Sequence, residues 1–246
     1  IPAREATFRN LYLNQPVDAD ERFIPGTEWD ACSAAVALAS LRGRPCWAGL
    51  DLSSTQDLTA LVLYFPEDGG AVLPFFWVPG GAIAEREDRD RVPYRVWAQQ
   101  GHIEATNGRA IDRRAITRRL AEIASAFDVR GVAYDRWRFD DLAVILTDEG
   151  IDLPMKPWGQ GYKDMGPAVD TLETLVLDRG LQHGGHPVLT WCVSNAVVTS
   201  DPAGARKLDK AKSIDRIDGI IALVMAVGIH AREPAPQQYS AEVMLI

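Results

Sequence analysis

Hydrophobic and polar positions divide the chain into short strand-like runs followed by longer helical stretches. Three apolar runs, Cys46–Leu52, Leu58–Phe65 and Ala71–Val78, are separated by turn-rich segments of only a few residues. Runs of this length with short connections are typical of strands paired in an antiparallel meander. The pattern therefore predicts a fold whose central part begins with three antiparallel strands.

Helices and strands alternate after the meander. The pattern predicts, in order, a helix over 111–127, a strand over 129–135, a helix over 139–149, a strand over 153–158, a helix over 167–178 and a long apolar helix over 214–230. Alternation of this kind favours parallel strands joined by right-handed crossovers. The order predicts an α/β fold of the RNase H-like type, in which a mixed sheet of three antiparallel strands and then parallel strands is flanked by helices.

The two ends of the chain differ from this central part. Residues 1–45 are polar and irregular before an Ala-rich helix predicted near 28–41, and we interpret them as a linker or adaptor segment. Residues 46–232 form the predicted domain, and the Pro-containing segment 233–246 is predicted to be a flexible tail. Because the chain opens at Ile1 and not at a methionine, we expect it to be a fragment of a longer polypeptide.

Composition narrows the class of protein. Among 246 residues, 47% are hydrophobic and 24% charged, which is typical of a packed globular domain. The net charge of −8 provides no global basic field, so a polyanion would have to be held locally. No apolar run approaches the roughly 18 residues of a membrane span. The three widely spaced cysteines do not resemble a disulfide framework or a zinc site and favour a reducing compartment.

Three carboxylates stand where carboxylates are disfavoured. Asp51 lies in an apolar run, and period-2 alternation places it on one face with Trp47 and Gly49. Asp135 is the last residue of a predicted strand just before a helix, and ligands in α/β sheets bind at such carboxyl ends of strands. Asp218 lies near the start of the long apolar helix, on the inward stripe beside Ile214. Taken singly, each has an ordinary alternative: Asp51 as a turn cap or arginine partner, and Asp135 as a helix N-cap.

Convergence of these three acids would create a site for hard divalent cations. Repulsion between carboxylates in a partly desolvated pocket raises their pKa values or requires bound cations. Oxygen ligands without a His/Cys cluster favour Mg²⁺ or Mn²⁺ over zinc. Two such ions clamp the attacking and leaving oxygens of a phosphoryl displacement, so the pattern predicts phosphodiester hydrolysis.

Several segments, taken together and in order, resemble the C-terminal nuclease domain of the large subunit of tailed-phage terminases. They are CWAGLDLSSTQDLTALVLYF (46–65), VAYDRW (132–137), GQGYKDM (159–165), HPVLTWCVSNAVV (186–198), RIDGIIALVMAVG (216–228) and the lead-in FRNLYLNQPVDADERFIPGTEWDAC (8–32). The resemblance covers nearly the whole chain. It implies an RNase H-like endonuclease that cleaves concatemeric DNA during genome packaging, with two Mg²⁺ or Mn²⁺ ions as cofactors.

The resemblance also implies roles for individual residues. Asp51, Asp135 and Asp218 match the family's catalytic and metal-binding acids. Asp57 matches a second acid of the first motif and is a candidate outer ligand, with a plain turn residue as the alternative. Asp215 is a weaker candidate ligand, since a helix-start carboxylate favoured by the macrodipole explains it better.

The partners that the resemblance implies are double-stranded DNA, the terminase small subunit, the portal protein and the family's own ATPase domain, in the host cell cytoplasm at the procapsid. This chain has no GxxxxGK[ST] motif, so the ATPase domain is expected to be absent from it. A basic cluster before the last helix is the predicted DNA-binding rim, with a solvated loop as the alternative: Arg206, Lys207, Lys210, Lys212 and Arg216. Lys210 or Lys212 is also a candidate for stabilising charge on the scissile phosphate. The alternative functions are an RNase H-like resolvase or transposase, and a catalytically silent module that guides DNA or docks on the portal.

Overall fold

The computed structural model describes residues 21–52, 58–136 and 139–233. Most of the predicted adaptor's first half and nearly all of the predicted tail lie outside these ranges, as does Asp57. The strands are β1 (Glu21–Arg22), β2 (Pro45–Asp51), β3 (Thr59–Phe65), β4 (Ala71–Pro79), β5 (Glu104–Thr106), β6 (Asp128–Asp135), β7 (Met155–Trp158), β8 (Val197–Ser200) and β9 (Arg206–Leu208). The helices are α1 (Gly26–Asp30), α2 (Ile83–Asp90), α3 (Tyr94–Gln99), α4 (Arg113–Ala126), α5 (Asp140–Asp148), α6 (Tyr162–Leu177), α7 (Pro187–Asn195) and α8 (Asp218–Ala231).

A six-stranded mixed sheet organises the fold, with strand order β5-β4-β3-β2-β6-β7. The pairs β2/β3 and β3/β4 are antiparallel, whereas β2/β6 and β6/β7 are parallel. This arrangement confirms the predicted meander followed by parallel strands. It also places the carboxyl ends of β2 and β6 side by side at one edge of the sheet.

Helices cover both faces of the sheet. One face packs against α4 and α5 and receives Ala48, Leu50 and Leu52. The other packs against α6, α7 and α8, and it receives Trp47. The predicted alternation along β2 is therefore confirmed, and Asp51 shares its face with α8.

Gly49 allows α8 to lie directly on β2. A Cβ atom built on Gly49 would come within 1.9 Å of the backbone oxygen of Ala222 and 2.9 Å of the backbone nitrogen of Ala226. A glycine at this position is needed because the obstructing atoms belong to the helix backbone and cannot rotate away. This close packing brings the start of α8 to the end of β2.

A second, three-stranded sheet, β1-β8-β9, joins the lead-in segment to the domain. Trp29 is almost fully buried, and its ring stacks on His183 at 4.0 Å between ring centroids. The helix predicted near 28–41 is wrong over most of its length, since α1 ends at Asp30. The backbone after α1 forms hydrogen bonds with another loop instead: the carbonyls of Cys32 and Ala34 accept from the amides of His183 and Gly184.

The last helix begins later than predicted, at Asp218 and not at Ile214. The residues before it bond to the end of α7: the Ile214 amide donates to the Asn195 carbonyl, and the Asn195 side chain donates to the Arg216 carbonyl at 3.3 Å. Ile214 is 72% exposed, so its predicted place on the inward stripe is wrong. Asp218 consequently lies in the first turn of α8, where unpaired backbone N–H groups favour a carboxylate.

His186 makes the stability of the fold sensitive to acid. It caps α7 by accepting a hydrogen bond from the Leu189 amide, and its ring lies against those of Phe76 and His102. Burial, and then the neighbouring His102, lower the pKa of His186 to about 4. The unfolded chain, with an ordinary histidine pKa near 6.5, therefore binds more protons than the folded protein between these values.

We expect His186 to contribute to stability fully above about pH 6.5 and to lose this contribution as the pH falls toward 4, by roughly 1–3 kcal/mol. His186→Asn keeps a capping acceptor and removes the titrating ring. Urea unfolding at pH 7 and pH 4.5 should show a smaller acid-dependent loss in the variant than in the native protein. Equal losses in the two proteins would contradict this assignment.

No helix within the described ranges is long and apolar enough to cross a membrane. The three cysteines, Cys32, Cys46 and Cys192, are buried free thiols. Burial raises the pKa of Cys46 to about 12, so this thiol is protonated and unreactive at neutral pH.

Candidate active site

Two carboxylates from distant parts of the chain meet at the carboxyl end of β2. Asp51 ends the strand and is 1% exposed, and Asp218 begins α8 and is 5% exposed. The Nζ atom of Lys210 lies between them, 2.7 Å from Asp51 Oδ2 and 2.9 Å from Asp218 Oδ1. A single positive charge therefore bridges a buried acidic pair.

The electrostatics of the pair follow from its burial. Burial raises the pKa of the Asp218 carboxyl above its ordinary value; Lys210 opposes this rise and Asp51 adds to it. Burial alone would lower the pKa of Lys210, but the two carboxylates outweigh it and raise the pKa. Lys210 thus supplies the compensating charge that buried carboxylates need.

Lys210 reaches the pair from the small sheet. It follows β9 in a turn that Asp209 stabilises, since the Asp209 side chain accepts from the Ala211 amide at 3.0 Å and its carbonyl accepts from the Ser213 hydroxyl at 2.7 Å. Although 43% of the Lys210 side chain is exposed, its ammonium group points inward. The sequence pattern placed Lys210 at the rim, whereas the structure places its charge inside the site.

Gln160 is a second neighbour of Asp51, and it was not among the predicted site residues. Its Nε2 atom donates to Asp51 Oδ1 at 3.2 Å. The signal for it was present in the Gly159–Gly161 loop, which follows β7 at the ligand-binding edge of the sheet.

Asp135 lies at the same edge of the sheet. Leu50 pairs with Tyr134 in parallel register, so Asp51 and Asp135 are the next residues on adjacent strands, which lie about 4.8 Å apart. Across the described ranges, no group of three or more His, Cys, Asp or Glu side chains is placed to hold one metal ion. The structure brings together two of the three predicted acids, and a ligand role for Asp135 stays a prediction.

The other predicted residues face different neighbours. Asp215 lies beside Arg216, and burial is the main cause that raises the pKa of its carboxyl. Arg206 is paired with two acids of α6, Asp170 at 2.8 Å and Glu173 at 2.6 Å. Lys207 lies over the Tyr162 ring, 5.0 Å from its centroid. Lys212 follows in the exposed turn after β9.

The mixed sheet of three antiparallel strands followed by parallel strands, covered by helices on both faces, is the RNase H-like α/β fold that the sequence predicted. The family model described as the terminase large subunit, endonuclease domain, matches residues 3–233. This chain belongs to that family.

Individual relatives agree with this assignment. The terminase large subunit of Enterobacteria phage HK97 is 46% identical over 230 residues, covering 93% of this chain and 45% of the relative. The crystal structure of the HK97 bacteriophage large terminase superimposes with a TM-score of 0.80, at 46% identity over 93% of this chain and 48% of that one. The chain thus spans about half the length of these relatives.

A more distant structure shares the fold. The large terminase nuclease from thermophilic phage G20c, crystallised with bound magnesium, superimposes with a TM-score of 0.50. It is 15% identical to this chain, and the match covers 76% of this chain and 83% of that one.

Proposed function

We propose that this domain is a metal-dependent DNA endonuclease that hydrolyses phosphodiester bonds when a concatemeric viral genome is cut for packaging. The observation that carries the proposal is the buried pair of Asp51 and Asp218, bridged by Lys210. Two buried carboxylates share a single ammonium group, so the pair is short of one positive charge when both are ionised, and perturbed buried acids of this kind are typical of functional sites.

The residues present fit a hard divalent cation. Both carboxylates offer oxygen ligands, and the ammonium group of Lys210 between them demonstrates that a positive charge is accommodated there. Asp51, Asp218 and Asp135 are the proposed ligands of two Mg²⁺ or Mn²⁺ ions, which would activate a water molecule and stabilise the departing 3′ oxygen. The magnesium reported for the G20c nuclease supports this choice of ion. Asp57 remains a candidate outer ligand. Asp215 is the weaker candidate: it lies beside Arg216 and before the first residue of α8, so the predicted helix-start role is wrong as well.

The basic residues around the pair have separate proposed tasks. Lys210 is close enough to the carboxylates to neutralise charge that develops on a phosphate bound there. Lys207, Lys212 and Arg216 lie in the same stretch of chain and would neutralise backbone phosphates, which position DNA without reading its sequence. Arg206 contributes less to DNA binding, since two acids of α6 already bind it.

The wider setting of the domain is part of the same proposal. In the complete polypeptide, residues 1–45 would connect the nuclease to the ATPase domain, and 233–246 would form a C-terminal tail. The proposed partners are double-stranded DNA, the terminase small subunit and the portal protein, at the procapsid in the host cytoplasm. The assignment to the terminase family supports a DNA substrate and partners from the packaging machinery.

A plasmid-nicking assay tests the proposed activity. In low-salt buffer with Mn²⁺, the domain should convert supercoiled plasmid to open-circular and linear forms, and chelation of the metal should stop it. Asp51→Ala should abolish nicking, because it removes an oxygen ligand at the centre of the site. Asp152→Ala, the same change at an exposed loop position, should nick normally.

The same assay separates the competing functions. Identical products from the native protein and Asp51→Ala would rule out the nuclease and favour the silent guiding or docking module. Cleavage confined to branched DNA, or strand-transfer products, would favour a resolvase or transposase.

A further inference from the structure

The loop between β7 and α6 holds a side chain that contacts the acidic pair without adding charge to it. Asp51 uses its two carboxylate oxygens differently: Oδ2 accepts from Lys210, which also binds Asp218, and Oδ1 accepts from the Gln160 amide. Oδ2 is therefore the oxygen that faces Asp218 across the cation position. Gln160 occupies the opposite oxygen.

From this geometry we infer that Gln160 is a positioning residue, which fixes the rotation of the Asp51 carboxylate so that Oδ2 stays directed toward the cation shared with Asp218. The last torsion of an aspartate side chain is broad, so burial alone does not fix the plane of the carboxylate group. A hydrogen bond to one oxygen fixes this plane and with it the direction of the other oxygen. Of the two polar groups of the Gln160 amide, only the NH₂ group can make this hydrogen bond, because the carbonyl oxygen would repel the carboxylate.

The neutrality of the donor distinguishes Gln160 from Lys210. The Lys210 ammonium group binds Asp51 Oδ2 and Asp218 Oδ1, so a divalent cation held by this pair would compete with it. Gln160 binds the remaining oxygen, so it can keep its contact whichever cation occupies the pair. Hydrogen-bond partners of this kind, beyond the ligands themselves, orient metal-binding carboxylates in other proteins.

The backbone of the loop brings Gln160 to this place. A Cβ atom on Gly159 would come within 2.3 Å of Asp164 Oδ2, so a larger residue there would have to displace this carboxylate. Asp164 is itself held by Arg232, at 2.9 Å between Oδ1 and Nη2. Gly159 therefore lets the loop pass close to α6 directly before Gln160.

Binding of Mn²⁺, measured by electron paramagnetic resonance of the free ion, tests this role. Gln160→Met keeps the length of the side chain without its donor, and Gln160→Asn keeps the amide on a shorter stem. We expect both to weaken Mn²⁺ binding by about 10-fold or more. Gln99→Met, the same change at an exposed residue of α3, should bind like the native protein. Nicking by the Gln160 variants should need more Mn²⁺ and recover to within about 3-fold of the native rate at saturation.

The inference rests on the proposed nuclease function, and the experiment separates the two. Native-like Mn²⁺ affinity in both Gln160 variants overturns the positioning role alone, as does a nicking defect that saturating Mn²⁺ fails to restore. A native protein that neither binds Mn²⁺ nor nicks DNA overturns the proposed function as well. Thermal unfolding in the presence of chelator should be alike for the native protein and the three variants. A Gln160 variant that unfolds at a lower temperature binds Mn²⁺ weakly because it is misfolded, and the other Gln160 variant is then used for the test.

Discussion

Gly49→Ala is expected to lower the free energy of unfolding by about 3 kcal/mol or more. The added Cβ atom would meet the Ala222 carbonyl oxygen at 1.9 Å, and neither the central strand β2 nor the packed helix α8 can yield without disturbing its own backbone. Overpacking usually costs less where a flexible side chain can turn aside. Here the melting temperature should fall by roughly 10 °C.

A matched glycine makes this measurement specific. Gly26→Ala introduces the same methyl group in α1, where a Cβ atom would meet nothing within 4 Å. Because both substitutions restrict the unfolded chain equally, the difference between them reports the clash in the folded protein. Equal stability of the two variants in chemical denaturation would mean that α8 does not lie on β2 as described.

Any Gly49→Ala protein that remains folded should also bind Mn²⁺ and nick DNA poorly. A helix displaced from β2 carries Asp218 away from Asp51, and the cation position depends on both. This coupling makes Gly49 part of the site although it offers no functional group.

Asp218→Asn is expected to reduce nicking by at least about 10³-fold while leaving the protein folded. The asparagine keeps the size of the side chain and removes the charge that would hold a divalent cation. Burial raises the pKa of Asp218, so a neutral side chain at this position is not penalised, and Lys210 retains Asp51 as its partner. We expect the free energy of unfolding at pH 7 to be unchanged or raised by about 1 kcal/mol.

Asp215→Asn provides the comparison, since it makes the same change three residues earlier in the chain. Asp215 lies against Arg216 and not against the bridged pair, so its variant should nick DNA within about 3-fold of the native rate. The nicking rates of the two variants should therefore differ greatly, and urea unfolding checks that the Asp218→Asn protein is folded. Full activity in Asp218→Asn, or an equal loss in Asp215→Asn, would contradict the assignment of the site.

Local patterns predicted some of these features and misplaced others. The alternation along β2 correctly set Asp51 on the face with Trp47, because successive strand residues always point to opposite sides. The start of the last helix was misplaced, because apolar periodicity does not reveal that Ile214 and Arg216 bond to Asn195. Contacts of this kind with another part of the chain hold the preceding residues out of the helix, and they lie outside the helix's own pattern.

The sequence by itself determined the three-stranded meander and the alternating helices and parallel strands after it, the face on which Asp51 lies and the terminase likeness, since each depends on neighbouring residues or on motifs in series. Only the tertiary structure decided which groups meet. Gln160 and Lys210 contact Asp51 across 109 and 159 residues of chain, and no local pattern encodes which loop ends at which strand. The role of Gly49 could not be predicted either, because it depends on the backbone of α8 packing against this position.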